Sequence, residues 1–456
     1  MISSSYILFL IDQIPQMIPL FDLSLQFNGY PIAEAKAELQ KIASFTASEK
    51  ENFIESKKIE IVTFHLNNNP FYQQLVGEKS FNNWNDLPVL TKEKLQRPLT
   101  ERLSTGYSRK NIHVSKTSGS SGDPFIFARD KYTHALFWAS TAYRYGWYGI
   151  NLNKSYQARF YGIPMDFIGY QKERIKDFLS NRFRLPVFDL SNLVLESFLG
   201  HFKTKKFDYI NGYTSSIVLF AKFLQEKNII LKDVCPTLKA CVVTSEMLFE
   251  NDKKLLEKQL GIPIINEYGA SELDLIAFQS RSKETKGEWE INAETLFIEI
   301  LDDNGAVLPY GKKGRIVITS LFNKAHPFIR YDIGDIGVLD EKSTLQRPIL
   351  QQLIGRTNDI AVLPSGKKAP GLTFYYITKS IIEDDGNVKE FTIKQIKTDT
   401  FEIKYVSNVV LGQSQIKKIE SAIALYLEPN LKFSYIRKDI LKRNKRGKLK
   451  QFKSML

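Results

Sequence analysis

Residues 207–269 contain five consecutive segments that alternate between strand-like and helix-like patterns. FDYINGY (207–213), TLKACVVT (237–244) and IPIINEYG (262–269) are short and largely apolar, as buried parallel strands are. Between them, SSIVLFAKFLQEK (215–227) and FENDKKLLEKQLG (249–261) carry apolar residues at helical spacing. Strands and helices that alternate with short connections predict a doubly wound, mainly parallel α/β sheet.

A different pattern begins near residue 290. TLFIEILDDNG (295–305) and KGRIVITS (313–320) alternate apolar and polar residues around an Asp-Asn-Gly turn, which is typical of a β-hairpin. The last stretch of about 100 residues alternates helix and strand patterns and has the length of a compact α+β domain. We therefore expect a large N-terminal domain over 1–355, with a small antiparallel β subdomain, and a small C-terminal α+β domain over 356–456.

The N-terminal region carries an apolar segment and many helix-forming residues. YILFLI (6–11) is interrupted by Asp12 and followed by Pro15, so it is far shorter than the ~20 residues needed to span a bilayer. We expect no integral membrane segment. In LPVLTKEKL (87–95), Thr91 is placed as a helix N-cap.

Charge and cysteine content limit the partners and the compartment. The net charge is +13, but residues 437–456 hold nine basic residues and one acidic residue, which leaves +5 for the other 436. Proteins that bind single-stranded nucleic acid place aromatic residues among the basic ones, whereas this tail has only Phe452. We predict no nucleic-acid partner. Two cysteines, Cys235 and Cys241, suit a reducing compartment, and we expect a cytoplasmic protein.

The densest chemical signal is KTSGSSGDP (116–124). Such a loop exposes backbone N–H groups and hydroxyls that can bind phosphate oxygens, and the alternative is a flexible surface turn. It is not a Walker A loop, because no GK[ST] follows the glycines. Its hydroxyl and glycine positions are Thr117, Ser118, Gly119, Ser120, Ser121 and Gly122.

Two carboxylates and a lysine follow in glycine-bearing segments. EYGASE (267–272) comes after the third strand, at the sheet edge where α/β proteins bind ligands, and Glu272 is suited to hold Mg²⁺. In IRYDIGD (329–335), Asp335 can accept both hydroxyls of a ribose. Alone, EYGASE is equally an ordinary capping loop, and for Asp335 an ordinary β-turn is favoured. RGK (446–448) places a lysine after a glycine in the basic tail.

In this order and at these separations, the segments resemble the motifs of the adenylate-forming superfamily. KTSGSSGDP is similar to its phosphate loop, RYDIGD to its ribose motif and RGK to its C-terminal lysine motif. TSE (244–246) and EYGASE resemble its two central motifs, and IGRTND (354–359) its hinge. The residues of these motifs most resemble those of the phenylacetate–CoA ligase-like branch, including its capsule polysaccharide biosynthesis relatives. The resemblance runs from about residue 35 to the end.

The resemblance implies an ATP-dependent carboxylic acid ligase. A carboxylate attacks the α-phosphorus of Mg·ATP to give an acyl-adenylate and pyrophosphate, and coenzyme A then takes the acyl group after the small domain rotates. Because this attack brings anions together, positioning and charge neutralisation must supply the rate.

The resemblance also implies individual roles. Thr117, Ser118 and Ser121 would hold the β- and γ-phosphates, and Glu272 the Mg²⁺. Asp335 and Arg356 would bind the ribose. Tyr268 would flank the adenine, and Lys448 would neutralise charge during adenylation. The other implied nucleotide-binding residues are Gly119, Ser120, Gly122, Glu246, Gly269 and Ser271.

Three positions depart from the pattern of the family. Asp123 stands where the phosphate loop often has lysine, and Asn358, followed by Asp359, occupies the hinge position. Some members carry a zinc cluster after the E-Y-G-x-S-E motif. Residues 277–290 here contain neither Cys nor His, so we predict no zinc site.

Several alternatives stay open at this point. The acceptor is coenzyme A or an amino or hydroxyl group of a sugar in surface polysaccharide biosynthesis, and a non-catalytic anion-binding protein is a further reading. YRYGWYG (143–149) either packs in the core or lines an acyl pocket, with core packing favoured. Tyr213 and Ser215 follow a strand end and are further candidates for the site. We expect a monomer or a homodimer.

Overall fold

The computed structural model describes residues 19–77, 81, 83–117, 125–162, 167–280, 287–356, 360–370, 374, 378, 388–443 and 449–456. Its α-helices are α1 Leu20–Phe27, α2 Ile32–Ala43, α3 Ala47–Asn68, α4 Pro70–Val76, α5 Leu99–Arg102, α6 Lys131–Gly146, α7 Phe167–Leu179, α8 Asn192–Thr204, α9 Thr214–Glu226, α10 Leu231–Val234, α11 Glu250–Leu260 and α12 Gln413–Tyr426. Its strands are β1 Leu90–Thr91, β2 Ile112–Lys116, β3 Ile126–Asp130, β4 Gln157–Phe160, β5 Arg182–Leu185, β6 Tyr209–Tyr213, β7 Ala240–Thr244, β8 Ile264–Ala270, β9 Asp274–Gln279, β10 Trp289–Ile291, β11 Leu296–Leu301, β12 Lys313–Ser320, β13 Tyr331–Leu339, β14 Leu350–Arg356, β15 Ile360–Val362, β16 Lys368–Pro370, β17 Val388–Lys397, β18 Thr400–Ser407, β19 Lys432–Lys438 and β20 Phe452–Ser454.

The central sheet has seven strands in the order β10-β9-β8-β7-β6-β4-β5. β5, β4, β6, β7 and β8 run parallel, and β9 and β10 continue antiparallel at one edge. Tyr145 from α6 packs in a cluster on one face, and α8, α9 and α11 contribute to the cluster on the other. Helices on both faces of a mainly parallel sheet confirm the doubly wound α/β class.

The strand–helix alternation of residues 207–269 is confirmed segment by segment as β6, α9, β7, α11 and β8. Gly261 follows α11 with a φ of +66°, the left-handed conformation that ends many helices. The short connections bring the carboxyl ends of β6, β7 and β8 to the same edge of the sheet, as P-loop and dinucleotide-binding sheets do at their ligand edge.

A second sheet forms the small antiparallel β unit. β11 and β12 pair antiparallel from Leu296 to Leu301, which confirms the predicted hairpin. β12 also pairs with β13, and β13 pairs with β14 and with β1. The helix predicted after Thr91 is wrong: Thr91 Oγ1 accepts the Lys94 N–H at 3.3 Å, but only a turn follows, because Leu90 and Thr91 are paired with β13.

Residues 388–443 and 449–456 contain a third sheet, ordered β19-β18-β17-β20, with α12 packed against it. We call β17–β20 with α12 the C-terminal unit. It has α+β character, as the sequence predicts. Met247 and Phe249, which follow β7, pack into its core, so the C-terminal unit rests on the carboxyl edge of the central sheet.

Two further observations concern the cysteines and the length of the helices. Both cysteines are free and buried. Over the described ranges, no helix is long and apolar enough to cross a membrane.

Candidate active site

The carboxyl edge of the central sheet brings two predicted motifs together through a buried hydrogen bond. Tyr268 lies in β8 and Asp335 in β13 of the second sheet. The Tyr268 hydroxyl donates to Asp335 Oδ2 at 2.7 Å, and only 6 % and 7 % of the two residues are exposed. Such a donor holds the carboxylate in one orientation and gives it a hydrogen bond where little water reaches it.

The residue after Tyr268 must be small. A Cβ on Gly269 would lie 2.5 Å from the carbonyl oxygen of Asp274, where β8 and β9 pair across a bulge. Gly269 therefore allows β9 to approach the motif closely, and its role in the structure is one of backbone packing.

A second hydroxyl–carboxylate pair joins the same two motifs. The Tyr331 hydroxyl donates to Glu272 Oε1 at 3.2 Å. Glu272 itself is half-buried. With Tyr268 and Asp335, this contact crosses from the central sheet to the second sheet, so the two carboxylates predicted for Mg²⁺ and ribose are fixed by neighbouring tyrosines.

An ion pair that the sequence analysis did not predict contacts the EYGASE segment and the residues after it. Arg129, in β3, contacts Asp274 Oδ1 at 2.5 Å and also donates to the carbonyl of Ser271. Burial raises the pKa of Asp274 to about 7, the Arg129 charge opposes this effect, and the Glu272 charge adds to it. The Ser271 side chain is exposed, so its contact to the protein is through the backbone. No local pattern marks Arg129, because it lies 145 residues from Asp274 in sequence.

Three of the six non-glycine residues with a left-handed backbone in the described chain lie at these motifs, and the other three are asparagines. Ser245, Asp274 and Arg330 have φ values of 69°, 61° and 45°. Each lies in TSE, EYGASE or RYDIGD or within two residues of one of them. Left-handed conformations cost side-chain-bearing residues about 1–3 kcal/mol and cluster at functional sites. The pattern therefore supports a functional site at this edge.

The predicted phosphate loop is anchored at Thr117. The Thr117 N–H donates to the carbonyl of Phe125 at 2.9 Å, and Thr117 Oγ1 accepts the Phe125 N–H at 3.1 Å. These bonds extend the pairing of β2 and β3 to Thr117 and Phe125. Residues 118–124, with Ser118, Gly119, Ser120, Ser121 and Gly122, lie outside the described residues.

Glu246 binds backbone groups from both halves of the chain. Its Oε2 accepts the Ser215 N–H at 2.7 Å, and its Oε1 accepts the Leu449 N–H at 3.1 Å. Ser215 is the second residue of α9, whereas Leu449 follows Lys448 in the sequence. Both carboxylate oxygens of Glu246 therefore meet protein donors, and the residue ties the C-terminal segment to the central sheet.

Arg443 reinforces the same junction. Its guanidinium donates to Ser215 Oγ at 3.1 Å and to Glu390 Oε2 at 2.8 Å. Burial raises the pKa of Glu390, and the Arg443 charge opposes this rise. Arg437 of the same basic tail donates to the carbonyls of Ser407 and Asn408. Arg443 and Arg437 thus form hydrogen bonds within the chain, which the charge count alone does not predict.

The aromatic segment 143–149 packs mainly in the core. The rings of Tyr145, Trp147 and Tyr148 lie 5.5–6.1 Å from that of Phe278. Tyr145 also donates from its hydroxyl to Glu267 Oε2 at 2.9 Å. Core packing is therefore confirmed, and one hydroxyl reaches the EYGASE segment.

The remaining predicted positions are placed only in part. Arg356 ends β14 and its backbone is opposite Asp335 in the ladder. Lys448, Asn358, Asp359 and Asp123 lie outside the described residues.

The residues present fit one magnesium ion better than a dedicated metal cluster. No group of three or more His, Cys, Asp or Glu suited to a metal occurs in the part of the chain that the structure describes. Mg²⁺ needs only one or two carboxylates when substrate phosphates complete its shell, and Glu272 is such a carboxylate. The zinc prediction concerns a stretch that includes 281–286, which are not described, so it stays a prediction.

Comparison with known proteins gives relatives in one group. No family model matches the chain. Protein CapK of Staphylococcus aureus is 23 % identical over 398 residues, covering 82 % of this chain and 83 % of CapK. The phenylacetate–coenzyme A ligase of Thermus thermophilus is 30 % identical over 131 residues, a local match that covers 28 % of this chain and 29 % of the ligase.

Among solved structures, 2-hydroxyisobutyryl-CoA ligase covers 90 % of both chains at 16 % identity. Its TM-score against this chain is 0.68 in the postadenylation state with bound acyl-adenylate. It is 0.57 in an open conformation and 0.56 in the thioesterification state. The chain therefore has the fold of adenylate-forming CoA ligases, and the resemblance to their phenylacetate–CoA ligase-like branch is confirmed.

Proposed function

We propose that the chain is an ATP-dependent carboxylic acid ligase that forms an acyl-adenylate and transfers the acyl group to coenzyme A. The observation that carries the proposal is the meeting of EYGASE and RYDIGD at the carboxyl edge of the sheet, through Tyr268–Asp335 and Tyr331–Glu272. Two oriented carboxylates at a ligand edge are what binding of a ribose and a metal-bound phosphate requires.

In the first half-reaction, an acid carboxylate oxygen bonds to the α-phosphorus of ATP and pyrophosphate leaves. Asp335, held by Tyr268, would accept the ribose hydroxyls. Thr117 and residues 118–122 would bind the outgoing phosphates, and Arg356 would assist at the ribose. When bound, Mg²⁺ would neutralise phosphate charge, and Glu272 would hold it.

Lys448 would complete the first half-reaction from the C-terminal unit. Leu449 donates its N–H to Glu246, which supports a position for the preceding lysine near this edge. The higher TM-score against the postadenylation state, 0.68 against 0.56, supports the same arrangement of the two units. A lysine here would stabilise the charge that develops as pyrophosphate departs.

In the second half-reaction, the thiolate of coenzyme A would attack the acyl carbonyl, and AMP would leave. We propose that residues 356–456 rotate against 1–355 between the two steps, about Asn358 or Asp359. The contacts of Leu449 with Glu246 and of Arg443 with Ser215 would then break, because they join the two parts.

The decisive experiment is a screen for pyrophosphate release from ATP with aromatic, aliphatic and amino acids. Release that depends on one class of acid supports the proposal. If no acid causes release at near-stoichiometric enzyme, with phenylacetate–CoA ligase active in parallel, the proposal is wrong.

A second candidate keeps the adenylation step and changes the acceptor to an amine or hydroxyl of a sugar. The extent of the sequence matches favours it, because the match to CapK covers 82 % of the chain and the match to the Thermus ligase covers 28 %. Coenzyme A and amino sugars supplied separately to the preformed acyl-adenylate will distinguish them. A thioester supports the first proposal, and an amide or ester product supports the second.

A further inference from the structure

Arg159 lies in the central sheet beside an arginine that is paired with two carboxylates. It lies in β4, opposite Arg184 on one side and Asn211 on the other. Arg184 binds Asp177 and Glu173, at 2.9 and 2.7 Å. By contrast, Arg159 forms no ion pair with any residue that the structure describes, and its Nε is buried without a hydrogen-bond partner.

The Arg159 guanidinium lies over an aromatic ring that packs against a second one. Its central carbon is 4.0 Å from the centre of the Tyr161 ring, and that ring is 4.5 Å from the ring of Tyr213. Arg159, Tyr161 and Tyr213 lie on the face of the sheet that also carries Glu267, since alternate residues of paired strands share a face. Burial raises the pKa of Glu267, and the nearby Arg159 charge opposes that rise.

The strand register relates Arg159 and Tyr213 to the candidate active site. Tyr213 ends β6 and is in register with Thr244 of β7, which in turn is in register with Glu267 beside Tyr268. Arg159 is three strands from β8, roughly 14 Å at the usual spacing of strands. A small acid that reaches the α-phosphorus of a nucleotide at Tyr268 and Asp335 would extend along the edge toward Arg159.

A half-buried guanidinium favours an anion. A charged group removed from water is stabilised by an opposite charge, and the planar fork of arginine matches a carboxylate in two-point geometry. The tyrosines supply apolar ring faces for the body of a ligand and hydroxyls at its ends. Asn211, the neighbour of Arg159 in β6, donates its amide to the carbonyl of Val242 and carries no charge.

We propose that Arg159 determines specificity by binding a second carboxylate on the acid, so that the chain activates dicarboxylic acids in preference to monocarboxylic ones. This inference rests on the proposed ligase function and names its substrate class. One carboxylate attacks ATP, the other pairs with Arg159, and the rings of Tyr161 and Tyr213 contact the chain between them.

The test compares acids that differ only in the second carboxylate: adipate with hexanoate, and 4-carboxyphenylacetate with phenylacetate. We expect the kcat/KM for pyrophosphate release to favour the diacid by at least about tenfold, the value of one charged hydrogen-bonded contact. The aliphatic and aromatic pairs also show which kind of body the tyrosines accept. Arg159→Met should remove the preference and leave the KM for ATP unchanged.

Two further variants separate binding from folding. Arg159→Lys keeps the charge and should retain part of the preference, even if Arg159→Met folds poorly. Arg182→Met removes a neighbouring arginine whose partner, Asp177, still binds Arg184, and it should leave the preference intact.

The outcomes distinguish this inference from the proposed function. If monocarboxylic acids are activated as well as diacids, or if the Arg159 variants keep the wild-type preference, this inference alone is wrong. If no acid of either kind releases pyrophosphate, the ligase function is overturned and this inference with it.

Discussion

At the residue scale, the site depends on carboxylates whose orientation is set by tyrosine hydroxyls. Tyr268 and Tyr331 each donate one hydrogen bond across the gap between two sheets, to Asp335 and Glu272. A carboxylate without such a donor can rotate, and a buried one loses stabilisation. We therefore propose that the tyrosines prepare the carboxylates for a ligand.

This arrangement predicts the effect of Tyr268→Phe. Loss of the hydroxyl removes the donor to Asp335, and we expect the KM for ATP to rise about tenfold, with kcat changed much less. Steady-state pyrophosphate release at varied ATP measures this. Tyr148→Phe is the control, since its hydroxyl donates to the carbonyl of Gln279, remote from Asp335. An unchanged KM for ATP would contradict the assigned role.

At the element scale, the sequence predicted regular elements well and long-range side-chain contacts poorly. β6, α9, β7, α11 and β8 follow from apolar spacing and a terminal glycine, both of which are local signals. The Arg129–Asp274 pair joins residues far apart in sequence, and nothing local marks either one. Thr91 failed as a helix N-cap for the same reason, because its partner strand, β13, lies 240 residues later.

Helix packing in the N-terminal part depends on a buried ion triad. Glu294 accepts from Lys50 of α3 at 2.7 Å and from Arg144 of α6 at 2.6 Å. Burial acts to raise the pKa of Glu294, but the contacts with Arg144 and Lys50 outweigh it and lower the pKa to about 2, from 4.5. The folded state therefore holds this proton less tightly than the unfolded chain does.

The triad predicts a pH dependence of stability. Its contribution is complete above about pH 4.5 and is lost as the pH falls toward 2, with a total of about 3 kcal/mol. Urea unfolding between pH 6 and pH 3 should show this loss, and Glu294→Gln should flatten it. Glu55→Gln is the control, since half of the Glu55 side chain is exposed in its contact with Lys58. An identical pH slope in Glu294→Gln and wild type would contradict the prediction.

At the scale of the whole molecule, polar contacts among the described residues join the C-terminal unit to the carboxyl edge of the central sheet. Leu449 and Arg443 reach Glu246 and Ser215, and Lys222 of α9 donates to the carbonyl of Lys389 at 3.2 Å. Such a junction is suited to two alternative positions of the C-terminal unit.

The junction predicts different effects on the two half-reactions. Lys448→Ala should abolish adenylation, whereas transfer from preformed acyl-adenylate to coenzyme A should persist. Arg443→Met should lower adenylation about tenfold, because the docked position is less populated, and should leave transfer unchanged or faster. Lys453→Met, in the same basic tail but exposed, is the control. Equal loss of both half-reactions in Lys448→Ala would contradict the assigned role.

The left-handed backbone at Ser245, Asp274 and Arg330 has a consequence for engineering. Glycine adopts such a conformation without steric penalty, so Ser245→Gly would remove a conformational cost of about 1 kcal/mol from the folded state. The same substitution would also raise the conformational entropy of the unfolded chain, which opposes this gain. A search for thermostable variants will therefore meet a trade-off here. Mutations that relax these three positions will also loosen the loops that carry the chemistry, and the most heat-resistant variants are expected to be slow catalysts.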